Sequence, residues 1–196
     1  DQRTGGSYGM YLQHLISSGT TLTVDGVESF FGIGTDAANE PHEHGAVYLQ
    51  NDKALVYWVD NREADPKIYG TLISSSYDGI SQDYFTNYPY GVPLSTLDLP
   101  QELPKAILAN NKIFLSYKVD ESPNENLYLQ LLDREDLSSD GSATALTDPA
   151  TSKQGFDMVY GEDDYIYYAY SENYDISINK ISSNGIVQWS VSVVTN

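Results

Sequence analysis

Short runs of apolar and β-branched residues, separated by polar turns, occur along most of the chain. The clearest set lies in the middle, where Val47–Gln50 and Ala54–Val59 flank a polar turn at 51–53. A third run, Lys67–Leu72, follows after a polar loop. Runs of this length, divided by Asn- and Asp-containing turns, are typical of antiparallel strands with tight connections. The pattern therefore predicts a small antiparallel sheet.

The same order of strand, turn, strand, loop and strand occurs twice more. The later copies contain the runs Ala106–Ala109, Ile113–Tyr117, Asn126–Leu132, Met158–Tyr160, Tyr165–Tyr170 and Asp175–Ile181. Near the beginning of the chain, Met10–Ile16 is similar to the third strand of the central copies. Self-similarity at intervals of roughly 40 to 60 residues, with three or four strands per copy, indicates the blades of a β-propeller. We therefore predict an all-β protein.

The repeat divides residues 1–196 into blade units of about 1–46, 47–105, 106–157 and 158–196, or about three and a half four-stranded blades. Thr20–Val24 and Ile186–Val194 are predicted outer strands, whereas Asp25–Gly45 and Ser74–Pro104 are predicted connections because they are rich in Gly, Pro, Ser, Asp and Asn. Closed propellers have at least about four blades. We therefore expect another protein subunit, or the remainder of a longer chain, to complete the ring.

The chain is strongly acidic, with a formal net charge of −18. A nucleic-acid backbone needs Lys and Arg to replace its counterions, so the charge argues against nucleic acid and against an anionic membrane surface. No apolar run approaches the ~20 residues that a membrane-spanning helix needs, so we expect no membrane insertion. The sequence has no cysteine, which excludes disulfides and thiolate metal sites. Two interpretations of the carboxylates stay open: they keep the protein soluble, or some bind calcium or a cationic partner.

Two sequence motifs accompany the predicted strands. The segment 58–62 contains Asp-x-Arg after a second strand, and 68–73 contains Ile-Tyr-x-x-x-Ile; segments 1–3 and 11–15 are similar to them. The combination resembles blades of bacterial and archaeal extracellular β-propellers. The resemblance implies an extracellular or cell-surface protein that acts as a binding or interaction module for protein or glycan, or as the scaffold of a surface assembly. Its alternative is a fragment of a polysaccharide-acting propeller enzyme, a glycosidase or lyase, whose catalytic residues lie largely outside this chain.

Because Asp-x-Arg recurs, we interpret it as structural. Asp60 follows a predicted strand, where a carboxylate accepts backbone N–H groups of a turn. Arg62 is then expected to pair with a carboxylate or carbonyl of the neighbouring blade. The strand aromatics, such as Tyr57, Trp58 and Tyr117, are expected to pack blade against blade. Tyr69 and Tyr128 align in the repeat and are expected to occupy equivalent core positions.

An aromatic loop is the preferred binding hypothesis. Tyr84, Phe85, Tyr88 and Tyr90 lie close together in a segment with Pro and Gly, outside the predicted strands. Aromatic side chains on a loop form a ligand- or partner-binding surface when a rigid scaffold presents them. We therefore predict that this loop carries recognition. We predict no catalytic set of residues.

Two metal sites are also considered. His42 and His44 are spaced so that an extended strand would place both imidazoles on one side, with Glu40 as a third ligand for zinc or copper. The alternative is a solvated loop. The acidic loops at 133–136 with Asp140, and at 162–164, offer the oxygen ligands that calcium prefers, so calcium is the candidate cofactor.

Overall fold

The computed structural model of the protein describes residues 10–18, 21–31, 42–51, 53–63, 65–74, 91–149, 151 and 153–193. These residues form β-strands, turns and loops, and contain no helix that could span a membrane. The strands make one hairpin and three four-stranded antiparallel sheets, which confirms the predicted all-β class.

The strands follow each other in chain order within every sheet. The hairpin consists of β1 (Met10–Ser18) and β2 (Thr21–Phe31). Sheet I consists of β3 (His42–Gln50), β4 (Lys53–Asp60), β5 (Lys67–Ser74) and β6 (Val92–Pro93). Sheet II consists of β7 (Gln101–Ala109), β8 (Lys112–Asp120), β9 (Glu125–Asp133) and β10 (Thr144–Ala145). Sheet III consists of β11 (Lys153–Tyr160), β12 (Ile166–Glu172), β13 (Asp175–Ile181) and β14 (Val187–Val193).

We call the first strand of each sheet its inner strand. The three inner strands are neighbours, since β7 lies beside both β3 and β11. The inner strands begin at one edge of the sheets, next to the connections between second and third strands at 61–66, 121–124 and 173–174. We call this the loop edge. The opposite, turn edge carries the hairpin turns. One of them, Asn110-Asn111, has φ of 48° and 62°, as the type I′ turn that matches strand twist requires.

Three predicted boundaries are wrong. β3, β7 and β11 all begin earlier than the apolar runs suggested. The two predicted connections also contain strand residues. The segment 25–45 includes the second half of β2 and the start of β3, and 74–104 includes β6 and the start of β7. The starts of the inner strands are polar and interrupted by β-bulges, so they lack the alternation that marks a strand.

Two apolar clusters hold the sheets together. Between sheets I and II lie Leu49, Leu55, Tyr57, Val59, Ile68, Leu72, Leu94, Ile113, Leu115, Tyr117, Val119, Leu132 and Leu137. Between sheets II and III lie Ala109, Phe114, Leu127, Leu129, Leu131, Leu146, Met158, Ile166, Tyr168 and Ile181. Because successive residues of a strand point to opposite faces, sheet II contributes to both clusters. Tyr57 and Tyr117 pack between sheets I and II, as predicted for the strand aromatics, whereas Trp58 is buried with Val56 and Tyr69 in a third cluster on the opposite face of sheet I.

The repeat alignment of Tyr69 and Tyr128 agrees with the strand register. Tyr69 pairs with Pro93 of the outer strand β6, and Tyr128 pairs with Ala145 of β10. Tyr69 donates its hydroxyl to Glu63 at 3.0 Å, and Tyr128 donates its hydroxyl to Glu121. Tyr69 is buried, whereas Tyr128 is only partly so.

Candidate functional site

Two β-bulges interrupt the inner strands of sheets I and II at the loop edge. The register of β3 shifts between His42 and Gly45, and that of β7 shifts between Glu102 and Lys105. Glu43 and Leu103, inside the bulges, have φ of 46° and 52°. Such values are uncommon for residues other than glycine, and both bulges and strained backbone collect at functional sites. The two bulges therefore mark the place where a site is to be sought.

A hydrogen bond connects the bulges. The backbone N–H of Leu103 donates to Oε2 of Glu43 at 2.5 Å, across the boundary between sheets I and II. The Leu103 side chain is 37 % exposed, and Pro104 follows it on the strand edge that faces no partner within sheet II. We call His42, Glu43, His44, Glu102 and Leu103 the mouth cluster. It combines an exposed apolar side chain with carboxylates and imidazoles on two neighbouring strands.

Lys118 of β8 holds one side of the mouth cluster. Its Nζ lies 3.2 Å from Oε2 of Glu102 and 2.7 Å from Oε1 of Glu125. Partial burial lowers the pKa of Lys118, but the hydrogen bonds to Glu125 and Glu102 outweigh it, so the pKa is raised overall. Lys118 therefore stays charged and fixes the Glu102 carboxylate.

Other lysines fasten the connections between sheets at the same edge. Lys67 donates from Nζ to Oδ1 of Asp98 at 2.8 Å, and this contact lowers the pKa of Asp98. The buried Nζ of Lys153 donates to the carbonyls of Asp148 and Thr151, both at 2.7 Å, and to Glu172 at 3.0 Å. The loop edge is thus held by ion pairs and backbone contacts rather than by apolar packing alone.

The Asp-x-Arg motif of sheet I is a buried structural unit. The Asp60 carboxylate accepts hydrogen bonds from Nε1 of Trp58 at 2.8 Å and from the backbone N–H of Arg62 at 3.1 Å, which confirms the predicted turn role. Nε of Arg62 also donates to Asp60, at 2.9 Å, and its guanidinium lies 3.7 Å from the centre of the Tyr69 ring. Arg62 therefore has a carboxylate partner in its own sheet, and the predicted partner in the neighbouring blade stays a prediction.

The predicted site residues have different outcomes. Tyr84, Phe85, Tyr88, Tyr90 and Glu40 lie outside the residues that the structure describes. His42 and His44 are both in β3, but the bulge at Glu43 breaks the extended geometry from which a shared side was predicted. A zinc or copper site with Glu40 stays a prediction. Glu43, Glu102 and Leu103 were missed, because a bulge has no sequence signal comparable to the apolar alternation of a strand.

The acidic loops at the turn edge use their carboxylates for turns and ion pairs. Asp133 and Asp136 accept the backbone N–H groups of Glu135 and Ser138 at 2.7 and 2.8 Å. A cavity of 280 Å³ lies beside them, lined by Lys112, Asp133, Ser138, Ser139 and Asp140. Among the residues described, no three His, Asp or Glu side chains form a group that could hold a metal ion. The geometry therefore gives the predicted calcium sites no support.

Most cations of the chain are neutralised by acidic neighbours. The sequence has ten Lys and Arg residues, and within the part of the chain that the structure describes eight of them form ion pairs with Asp or Glu. These are Lys53, Arg62, Lys67, Lys112, Lys118, Arg134, Lys153 and Lys180. The acidic excess stays uncompensated at the surface, which opposes the approach of anions.

Comparison with known proteins identifies the type of fold of this chain. No family model and no curated protein matches the chain. One similar solved structure is Zg3597, a family 117 glycoside hydrolase produced by the marine bacterium Zobellia galactanivorans, with a TM-score of 0.54 and 14% identity over 93% of this chain and 56% of that chain. Another is the NanB sialidase from Streptococcus pneumoniae, with a TM-score of 0.47 and 17% identity over 95% of this chain and 28% of that chain. The chain thus spans little more than half the length of Zg3597. The likeness to Zg3597, together with the three four-stranded sheets, gives this chain an all-β fold of the β-propeller type.

Proposed function

We propose that this chain is a propeller segment of an extracellular protein that binds a neutral glycan at the mouth cluster. The observation that carries the proposal is the hydrogen bond between Glu43 and Leu103, which fixes an exposed leucine and a carboxylate side by side. Sugars are bound by apolar contact with their C–H faces together with a few fixed polar groups for their hydroxyls. Both kinds of group are present here, on β3 and β7.

The charge pattern supports a neutral ligand. At the loop edge, Arg62, Lys67, Lys118 and Lys153 are all paired with carboxylates. A polyanionic glycan, whether sulfated or rich in uronate, would need to displace those carboxylates against a net charge of −18. A neutral glycan meets no such barrier, since its hydroxyls donate hydrogen bonds to carboxylate oxygens.

The fold comparison supports a glycan as the ligand class. Zg3597, the solved structure with the similar fold, is a glycoside hydrolase. Glycoside hydrolysis is the activity of Zg3597. Because the identity is only 14%, the likeness supports a glycan as the ligand class and does not assign that activity to this chain. An extracellular location is part of the same proposal, in keeping with the extracellular propellers that the repeat motifs resemble.

The alternative is a polysaccharide-acting enzyme, because Glu43 and Glu102 lie on adjacent inner strands and glycosidases act with paired carboxyl groups. Both carboxylates are engaged within the protein: Glu43 accepts the backbone N–H of Leu103, and Glu102 lies 3.2 Å from Nζ of Lys118. We therefore prefer glycan binding to catalysis as the proposed function.

Calorimetric titration with neutral oligosaccharides of the agaro, cello, laminari and manno series tests the proposal, with alginate and dextran sulfate as polyanions. Leu103→Asn removes the apolar contact, while asparagine tolerates the positive φ of the bulge. Ile186→Asn, at an exposed position on the turn edge, is the matched control. We expect one neutral series to bind. Leu103→Asn should lower the affinity for that series about tenfold, equal to ~1.4 kcal/mol, and Ile186→Asn should leave the affinity unchanged. Binding of the polyanions alone, or equal binding by both variants, would contradict the proposal.

A further inference from the structure

One face of sheet III carries exposed apolar side chains. Ile176 pairs with Val193, Ile178 pairs with Val191, and Lys180 pairs with Trp189, so these residues share one face. Their neighbours Ser177, Asn179 and Ile181 are buried on the opposite face, towards sheet II. We call the first set, together with Val159 of β11, the outer face of sheet III. Val159 is 61% exposed, and Ile176, Trp189, Val191 and Val193 are between 44% and 49% exposed.

The corresponding face of the other two sheets is buried. In sheet I, Ile68 and Leu72 of the third strand pack against sheet II; in sheet II, Leu127 and Leu131 of the third strand pack against sheet III. Ile176 lies at the position of Ile68 and Leu127, near the start of its third strand. The outer face of sheet III thus repeats the side-chain pattern of two faces that a following sheet covers.

The size of the face decides between two kinds of cover. A strand of seven residues is about 23 Å long and four strands are about 19 Å wide, so the face measures about 440 Å². Two copies of this chain, packed face to face, would bury about 900 Å² in total, less than the ~1,200 Å² at which stable interfaces begin. A sheet that is covalently joined to the chain needs no such area, because tethering supplies an effective concentration in the millimolar range.

We propose that a further four-stranded sheet of the same repeat, belonging to the same polypeptide, covers the outer face of sheet III. The covering face presents aliphatic and aromatic side chains at alternate strand positions, as Ile113, Leu115 and Tyr117 of β8 do towards sheet I and as Ile166 and Tyr168 of β12 do towards sheet II. Trp189 and Val191 are then core residues of the intact propeller. The ring of Tyr167, which packs edge-on against that of Trp189 with the ring centres 6.3 Å apart, lies within the same contact.

Hydroxyl-radical footprinting of Trp189 tests the proposal in two preparations, residues 1–196 alone and the protein expressed from its complete gene. Val191→Asp places a charge on the outer face, and Ser190→Asp places the same charge on the opposite face of β14 as a control. We expect Trp189 to be modified in the 1–196 chain, which sediments as a monomer, and to be protected in the complete protein. Val191→Asp should lower the urea midpoint of the complete protein only, and Ser190→Asp that of neither.

Two results would overturn the proposal. The first is a complete protein in which Trp189 is modified as fast as in residues 1–196. The second is a 1–196 chain that sediments as a dimer with Trp189 protected and that Val191→Asp converts to a monomer, since a second copy would then be the cover. Both readouts are independent of glycan binding, so neither depends on the mouth cluster.

Discussion

The carboxylate of Glu43 in β3 accepts the backbone N–H of Leu103 in β7, and both residues have left-handed backbone conformations. The contact joins two bulges that belong to different sheets. Because each bulge is costly by itself, a bond between them stabilises a geometry that ordinary strand pairing would remove. The proposed glycan site depends on this relationship, and so does part of the stability of the boundary between sheets I and II.

Replacing Glu43 should therefore weaken the fold as well as the site. We expect Glu43→Ala to lower the free energy of unfolding by about 1 kcal/mol, because the N–H of Leu103 loses a charged acceptor. Glu43→Gln keeps an acceptor oxygen and should lose less than half of that. Urea unfolding followed by fluorescence measures both variants. An unfolding midpoint that is the same for Glu43→Ala and the unmodified protein would show that the bond contributes nothing.

Gly70 should not tolerate a side chain. A Cβ atom there would lie 2.6 Å from Leu94 Cδ1 and 2.9 Å from Leu55 Cδ1, inside the core between sheets I and II. We expect Gly70→Ala to cost about 1–3 kcal/mol through overpacking. At Gly155 the nearest atom, Ser171 Oγ, is 3.9 Å away, so Gly155→Ala is the matched control and should stay within ~0.5 kcal/mol. Thermal melts that rank the two variants in the opposite order would contradict this packing.

The aligned tyrosines should differ in their contribution to stability. Tyr69→Ala removes a buried ring and should cost ~3–5 kcal/mol, while Tyr128→Ala should cost about half as much because Tyr128 is partly exposed. The corresponding Phe variants delete only the hydroxyl bonds to Glu63 and Glu121, for about 1 kcal/mol each. Denaturant unfolding compares the four. If neither Ala variant changes the midpoint, the two positions are not core positions of a repeat.

Stability should fall steeply at alkaline pH. Burial raises the pKa of Tyr117 to about 12, and burial together with Glu121 raises that of Tyr128 to about 12; burial also raises the pKa values of Tyr69 and Tyr168. These phenols ionise near 10 in the unfolded chain. The unfolded state therefore releases protons first, and stability that is fully present below pH 10 is lost as pH rises towards 12.

Ionisation of the buried Tyr117 lowers the free energy of unfolding by up to ~1.4 kcal/mol per pH unit above pH 10, and that of the partly exposed Tyr128 lowers it by less. Urea midpoints measured at increasing pH give the slope, and Tyr117→Phe should make it shallower. A midpoint that stays constant up to pH 12 would contradict the burial of these hydroxyls.

The regular parts of the fold could be predicted from the sequence, and the irregular parts could not. Alternating apolar residues and Asn-rich turns located β4, β5, β8 and β9 because both signals are local. The beginnings of β3 and β7 were missed because polar bulges, and Pro104 in β7, remove the alternation. The two-residue strands β6 and β10 are too short to have any period.

The candidate site was predictable only in fragments. His42 and His44 were noticed for their residue type, but Glu43 between them and Leu103 on another sheet become neighbours through tertiary packing. The turn role of Asp60 followed from local chemistry and is confirmed, whereas the bond from Leu103 to Glu43 joins residues 60 positions apart. Contacts between residues distant in sequence have no local pattern from which to infer them.

A titration of ¹⁵N-labelled protein with the neutral oligosaccharide series, followed by amide chemical shifts, tests whether glycan binds at the mouth cluster. We predict that the largest shifts occur at the amides of Glu43 and Leu103 and decrease with distance from the loop edge. They should weaken in Leu103→Asn and persist in Ile186→Asn. Unchanged spectra with every neutral series, or shifts confined to the turn edge or to the outer face of sheet III, would contradict glycan binding at the mouth cluster.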